Sequence, residues 1–409
     1  MTSSFCRAVV GANFGDEGKG LMTDYFTRLM KIGGEKVSVC RYNGGAQAGH
    51  TVVTPEGQRK VFQHFSSGTL TGADTILGPE FFVNPIVFNK ESKILYEQFD
   101  LLPEVWIFPQ APVTLPIDMR INQFIETQRG EKAHGSCGMG IFQTWRRNQN
   151  PQFKLSAHYL HSTSRADFYL RMMEIYGIYY NQLKQDSLHL DVISDMLAFK
   201  DQVREIPDEV VSPSFDAKEK FHNKVIFEGA QGLLLDMDNG DYFPHLTPSN
   251  CGLKNILPLA DLIKKDIHVT YVTRAYMTRH GNGKFLSEDE RLLNELGDKE
   301  QTNKNNDWQG PVRFGHLDVD LLVRTLKKDL DVVKFAGFNR KVVPSLAITC
   351  LDQRKRHSYL YHGMRFDNLT SDDFLVRVFD IIRREAGVNR FYVSYGPTWK
   401  DVQDYGEGL

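Results

Sequence analysis

Short apolar runs recur along the chain, and each ends in a loop of glycine or polar residues. The first, RAVVGAN at 7–13, has the length and abrupt polar end of a buried strand. After a glycine-rich loop, Leu21, Met22, Tyr25, Phe26, Leu29 and Met30 recur at helical spacing, which predicts an amphipathic helix over 18–31. The same reading predicts strands at KVSVCRY (36–42), KVIFEGAQ (224–231), DIHVTYVTRAY (266–276), PSLAITCLD (344–352) and NRFYVSYGPT (389–398). Residues 150–225 read as mainly helical connection, and ELGDKEQTNKNNDWQGPV (295–312) as a long mobile loop of the kind that serves function. Strands opening at their C-terminal ends into glycine-rich or charged loops describe an α/β fold with its site along one sheet edge.

Composition narrows the function classes. The 409 residues carry 49 Lys plus Arg against 51 Asp plus Glu, so no basic excess suggests a nucleic-acid partner. The basic run QRKRH at 353–357 reads as a solvated loop face. No run of 18 apolar residues and no basic-then-apolar leader occurs, which predicts a cytoplasmic protein without a membrane partner. Cys6, Cys40, Cys137, Cys251 and Cys350 are odd in number and scattered, which disfavours disulfides and structural zinc.

The chemistry concentrates in the loops. In VVGANFGDEGKG (9–20), backbone N–H groups at a helix start and Lys19 suit phosphate. Asp16 and Glu17 in the same loop would repel it unless a metal ion or proton transfer needs them. Gly20 stands where the GxxxxGK[ST] pattern places its metal-holding hydroxyl, so Asp16 becomes the candidate metal ligand. In RYNGGAQAGHTVV (41–53), Gly44, Gly45 and Gly49 permit close backbone approach, and His50 can donate to phosphate or developing negative charge. Gln231, between Ala230 and Gly232, offers a donor and an acceptor to a nucleobase edge. Thr247, Ser249 and Asn250 offer hydroxyl and amide groups to a phosphate.

Taken in order, GDEGKG, RYNGGAQAGHTVV, GSCGMG (135–140), FEGAQGLLLDMDNGDYFPHLTPSN, TRAYMTRHGNGKF (273–285) and TCLD (349–352) resemble the adenylosuccinate synthetase family. The resemblance implies a single α/β domain over 1–409, built on a mostly parallel sheet with P-loop-like phosphate loops. It implies a homodimer that joins L-aspartate to IMP, driven by GTP cleavage with Mg2+ through a 6-phosphoryl intermediate. Catalysis would fall to Asp16, His50 and Gln231, and metal binding to Asp16 and the Gly49 carbonyl. The triphosphate would meet Gly15, Glu17, Gly18, Lys19, Gly20, Gly49, Thr51, Asp352, Gly396 and Pro397. The purine monophosphate would meet Asn43, Gln47, Ser136, Cys137, Gln231 and Thr247, with Arg146 or Arg147 reaching it across the dimer, and Arg313 would hold aspartate.

The chain also departs from that family. Gln47 stands for the usual asparagine, Cys137 for a threonine and Met139 for an arginine, and the arginine-rich aspartate loop is reduced to Arg313. Cys350 replaces the lysine that reads guanine, which brings ATP or dATP in beside GTP. A phage branch of the superfamily acts on GMP or dGMP. Asp16, where that branch often carries serine, favours IMP. A P-loop GTPase predicts motifs this chain lacks, and a relative that binds nucleotides without turnover is the remaining rival.

Overall fold

The run Phe5–Gly11 lies near the middle of a nine-stranded sheet. From edge to edge the sheet runs Val402–Gly406, Arg390–Ser394, Val342–Thr349, Asp266–Arg274, Phe5–Gly11, Lys224–Glu228, Val37–Gly45, Asp74–Phe82 and Val105–Ile107. Every neighbouring pair is parallel except Arg390–Ser394 with Val402–Gly406. The computed structural model describes residues 4–130, 134–162, 165–183, 186–211, 216–299 and 310–406. Residues 300–309, the centre of the expected mobile loop, lie outside them.

The sheet is buried on both faces, as parallel sheets are. Ala8 and Val10 pack with Val269, Leu346 and Ile348 against helices Leu253–Leu262, Val319–Phe335 and Ser371–Ala386. The alternate positions Val9, Val39, Ile226, Val272 and Ala347 meet Met22 and Phe26 of the helix Lys19–Lys31. That helix matches the predicted span closely, although Leu29 points outward and is 39% exposed. The predicted helical region contains Ala157–Ser162, Arg165–Leu183 and Asp186–Glu205.

One apolar run divides. DIHVTYVTRAY leaves the central sheet at Arg274, and Tyr276–His280 begins a second sheet, antiparallel to Val312–Asp318. His357–Tyr361 and Met364–Leu369 complete that four-stranded sheet. The loops at the carboxyl ends of the central strands therefore face the start of the second sheet, and a cleft of about 880 Å³ lies there.

Candidate active site

The two acidic residues of the first loop do different work. Glu17 turns inward, where Oε1 accepts from the backbone N–H groups of Asn13 at 3.0 Å and Gly15 at 2.8 Å. Its Oε2 pairs with Lys19 Nζ at 2.5 Å, with both side chains buried. Glu17 thus shapes the loop and balances Lys19. Gly18 caps the following helix in a left-handed conformation without any side-chain cap, so the N–H groups of the first turn stay available to an anion. Gly20 has a packing reason: a Cβ there would lie 2.6 Å from the Thr51 carbonyl.

Asp16 lines the cleft at φ 63°, a left-handed position that aspartate tolerates better than most residues. Arg274 Nε donates to its carbonyl at 2.5 Å, and His280 Nε2 meets its Oδ2 at 3.1 Å. Burial works to raise this carboxyl, but the hydrogen bond and charge of His280, with Arg274 and Lys19, outweigh it and hold the group near 2. Asp16 is an anion throughout the physiological range.

Facing the same cleft, His50 shows the reverse order. Its Nδ1 lies 2.6 Å from Glu228 Oε1, while Nε2 is buried without a hydrogen-bond partner. Glu228 also accepts from Ser67 N at 3.1 Å and from Ser67 Oγ, with Arg41 Nε 4.0 Å away. Burial, aided by the charge of Arg41, pulls His50 down to about 4 against the pull of Glu228. Burial acts to raise Glu228, but His50, Arg41 and Ser67 keep it below the ordinary carboxylate range. The resting arrangement is a neutral imidazole whose Nδ1–H donates to an anion, leaving the Nε2 lone pair for the cleft.

The cleft gathers most of the other expected residues. Gly15, Gly18, Gln47, Gly49, Thr51, Ser136, Cys137, Arg146, Gln231 and Thr247 line it. Both ends of the Gln47 amide are buried without partners, a cost that a bound polar ligand removes. Burial pushes the Cys137 thiol up to about 11, so this cysteine is a neutral wall and not a nucleophile. Asp352, Gly396 and Pro397 are absent from the lining; they sit on loops after Val342–Thr349 and Arg390–Ser394, further along the same sheet edge.

Besides the inward-turned Glu17, three further expected ligands are otherwise engaged. Asn43 is fully buried and ties two loops together, accepting from Ala230 N at 2.8 Å and donating to the Ala230 and Asn250 carbonyls at 3.2 Å. Arg147 is a core residue: its nitrogens all bond to Asp118, Asn148 and the carbonyls of Val113 and Phe153, so of the arginine pair Arg146 remains open to a phosphate. The expectation that Arg313 holds aspartate is corrected in the same way. Its fork grips Glu288 and the Gly281 and Gly283 carbonyls, and it does not line the cleft.

Glu228, Arg274, Arg279 and His280 are the site residues that the sequence reading passed over. Arg279 lines the cleft at 2% exposure, stacked 4.3 Å from the Phe14 ring centroid, with Nη1 on the Lys284 carbonyl. Its Nε lacks a partner, and no carboxylate pairs with it among the described residues. Burial, with the charge of Arg313, lowers it to about 10, still cationic at neutral pH.

No cluster of three His, Cys, Asp or Glu suited to a metal occurs among the described residues. Mg2+ bound with a nucleotide needs only one or two carboxylates, its other ligands being phosphates and water. The anionic Asp16 and the exposed backbone of Gly49 fit that requirement, whereas the inward Glu17 does not.

Comparison with known proteins follows the same lines. The adenylosuccinate synthetase family model matches residues 8–332. An adenylosuccinate synthetase of Stenotrophomonas maltophilia is 30% identical over 325 residues, 78% of this chain and 73% of that protein. One of Halothermothrix orenii is 28% identical over a span covering 98% of this chain and 90% of its own. The fully ligated adenylosuccinate synthetase of Plasmodium falciparum superposes with a TM-score of 0.74 at 18% identity, covering 97% of this chain and 99% of that one. The succinoaminodeoxyadenylate synthetase of cyanophage S-2L, bound to dGMP and dATP, gives 0.60 at 17% identity, with 98% and 95% covered. Among the described residues no helix is long and apolar enough to cross a membrane.

Proposed function

The chain belongs to the adenylosuccinate synthetase family, and from that premise we propose that it joins L-aspartate to the 6-position of IMP, driven by cleavage of a purine nucleoside triphosphate. The observation that carries this reading is the pairing across one cleft of an anionic carboxylate backed by an imidazole, Asp16 with His280, and an imidazole backed by a carboxylate, His50 with Glu228.

The purine 6-oxygen is a poor leaving group and is first phosphorylated, which requires N1 to give up its proton. Asp16 takes that proton; general-base catalysis of this kind contributes about 10² to 10⁴ in rate. As the aspartate amine forms its bond to C6 and the C6–O bond breaks to release phosphate, His50 Nε2 accepts the proton that the amine loses, and Glu228 stabilises the imidazolium that forms. Asp16 and the Gly49 backbone would hold Mg2+, which would supply neutralisation of phosphate charge. Gln231 and Gln47 orient the purine and its ribose, and Ser136, Cys137 and Thr247 surround its 5′-phosphate. The helix start at Gly18 to Gly20, with Lys19 and Thr51, receives the triphosphate, and its base extends toward Asp352, Gly396 and Pro397. The exposed Arg146 suits a homodimer in which it reaches the partner subunit's nucleotide. With Arg313 engaged, Arg279, which lines the cleft and has no carboxylate partner among the described residues, meets a carboxylate of aspartate.

Mass-resolved product analysis tests the reading, with Mg2+ and aspartate present and IMP, GMP and dGMP crossed with GTP, ATP and dATP. A succinyl adduct of IMP is the expected result. An adduct of GMP or dGMP alone would move the acceptor to the guanylate series, and no adduct despite bound nucleotide would refute the ligase chemistry.

A further inference from the structure

Asp16 is clamped at both ends by one segment of chain. Arg274, the last residue of its central-sheet strand, holds the Asp16 carbonyl, and His280, the last residue of the next strand, holds Oδ2. The other carboxylate oxygen has no hydrogen-bond partner among the described residues. A carboxylate turns readily about its last side-chain bond, which has only a broad, roughly two-fold preference. Arg274 and Lys19 also exert their charge on Asp16, so a carboxylate released by His280 is drawn toward them and out of its present orientation.

We propose that His280 is a positioning residue for the purine-binding reaction: by occupying one lone pair of Asp16 Oδ2, it aims Oδ1 at N1 of the acceptor base, and the carboxylate's remaining lone pairs stay open to a metal ion. The inference rests on the reading of Asp16 as the base. Its own support is mechanical. His280 pairs with Val312, and its neighbour Arg279 with Arg313, in the antiparallel ladder of the second sheet. The turn after His280 is braced because Arg313 grips the Gly281 and Gly283 carbonyls at 3.0 and 2.9 Å. Arg313 therefore contributes to the base through His280, which gives a function to an arginine that does not reach the cleft.

The test compares His280→Met with His280→Gln, side chains of similar length of which only glutamine keeps an N–H donor. A misplacement on the scale of 1 Å costs about 10²-fold in rate. Met is expected to lower kcat about 10- to 100-fold while the IMP KM, and IMP binding measured by calorimetry, change by less than about twofold. Gln is expected to recover most of that loss. A Met variant with wild-type kcat would overturn the proposal, and so would a loss that Gln fails to recover while IMP binding stays intact. Should the Met variant not fold, His280→Asn, whose amide is too short to reach Asp16, replaces it in the same comparison. Wild-type protein that forms no succinyl adduct would count against the functional reading; wild-type turnover matched by the Met variant would count against the positioning role alone.

Discussion

Replacing Glu228 by Gln should stop the chemistry while leaving the purine site in place. The carboxylate accepts on both oxygens, from His50 Nδ1 and Ser67 Oγ on one and from Ser67 N on the other. An amide has one acceptor and one donor end. With its oxygen kept against Ser67 N, its NH2 faces His50 Nδ1 and imposes the other tautomer, so that Nε2 arrives in the cleft already protonated and cannot take up a proton. The equivalent carboxylate-to-amide change behind a serine hydrolase histidine costs about 10⁴ in kcat, or about 5 to 6 kcal/mol at about 1.4 kcal/mol per tenfold. Stability falls as well, because Arg41 is fully buried and two of its nitrogens lack hydrogen-bond partners. Breaking a buried pair typically costs about 3 to 5 kcal/mol, and the lower end applies here because the charge of Glu91 also acts on Arg41. The assay is steady-state kcat with saturating substrates, alongside calorimetric IMP binding and a thermal midpoint. A kcat within about tenfold of wild type, in a folded variant that binds IMP normally, would refute the proton-accepting role of the His50–Glu228 couple.

The other predictions separate groups that act on the substrates from groups that act on the fold. Asp16→Asn should abolish turnover, a loss of about 10² to 10⁴, yet leave IMP binding measurable; near-normal turnover would remove Asp16 from the chemistry. Arg279→Met should raise the aspartate KM about 10- to 100-fold, the worth of a charge-assisted hydrogen bond of about 1.5 to 3 kcal/mol, whereas Arg313→Leu should lower kcat with little change in that KM; the opposite pattern would exchange their roles. Acid should destabilise the protein through His64, whose Nε2 accepts from Asn84 N at 2.9 Å and which burial, with the charge of Arg41, pushes down to about 3. Because this folded value lies below the unfolded value of about 6.5, the stability is complete above pH ~6.5 and lost as pH falls toward 3, at up to about 1.4 kcal/mol per unit. His64→Gln, which can still accept from Asn84, should flatten the slope of unfolding free energy between pH 6.5 and 5, and an unchanged slope would exclude His64 as its source.

The strands and the first helix were legible because each is a run whose period alone reports burial: Val9 and Val10 belong to opposite faces of one sheet, and Met22 and Phe26 to one stripe of a helix. The change of sheet at Ala275 was not, since an apolar run looks the same whichever partner strands lie beside it. Arg147 could have been placed, because it follows Ile141 and Thr144 at three-residue spacing on the inner face of helix Ile141–Asn148. Glu228 also left a signal, as a carboxylate directly after the apolar run Val225, Ile226 and Phe227. For His280 and Arg279 the sequence carried nothing comparable. Their roles arise from contacts across 264 and 265 positions, with Asp16 and Phe14, that only the second sheet creates. Arg313 misled for the same reason: its partner Glu288 stands 25 residues away.

The left-handed backbone at Asp16 has a consequence for how this protein can change over generations. Such positions accept glycine, asparagine and aspartate readily and penalise most other residues. Glycine and asparagine are each one nucleotide away from aspartate in the genetic code, so the commonest accidents at this position remove the carboxylate without straining the chain. The architecture therefore separates loss of catalysis from loss of folding. A lineage released from selection for the reaction would drift first to intact, nucleotide-binding proteins that no longer turn over, and only later to proteins that fail to fold.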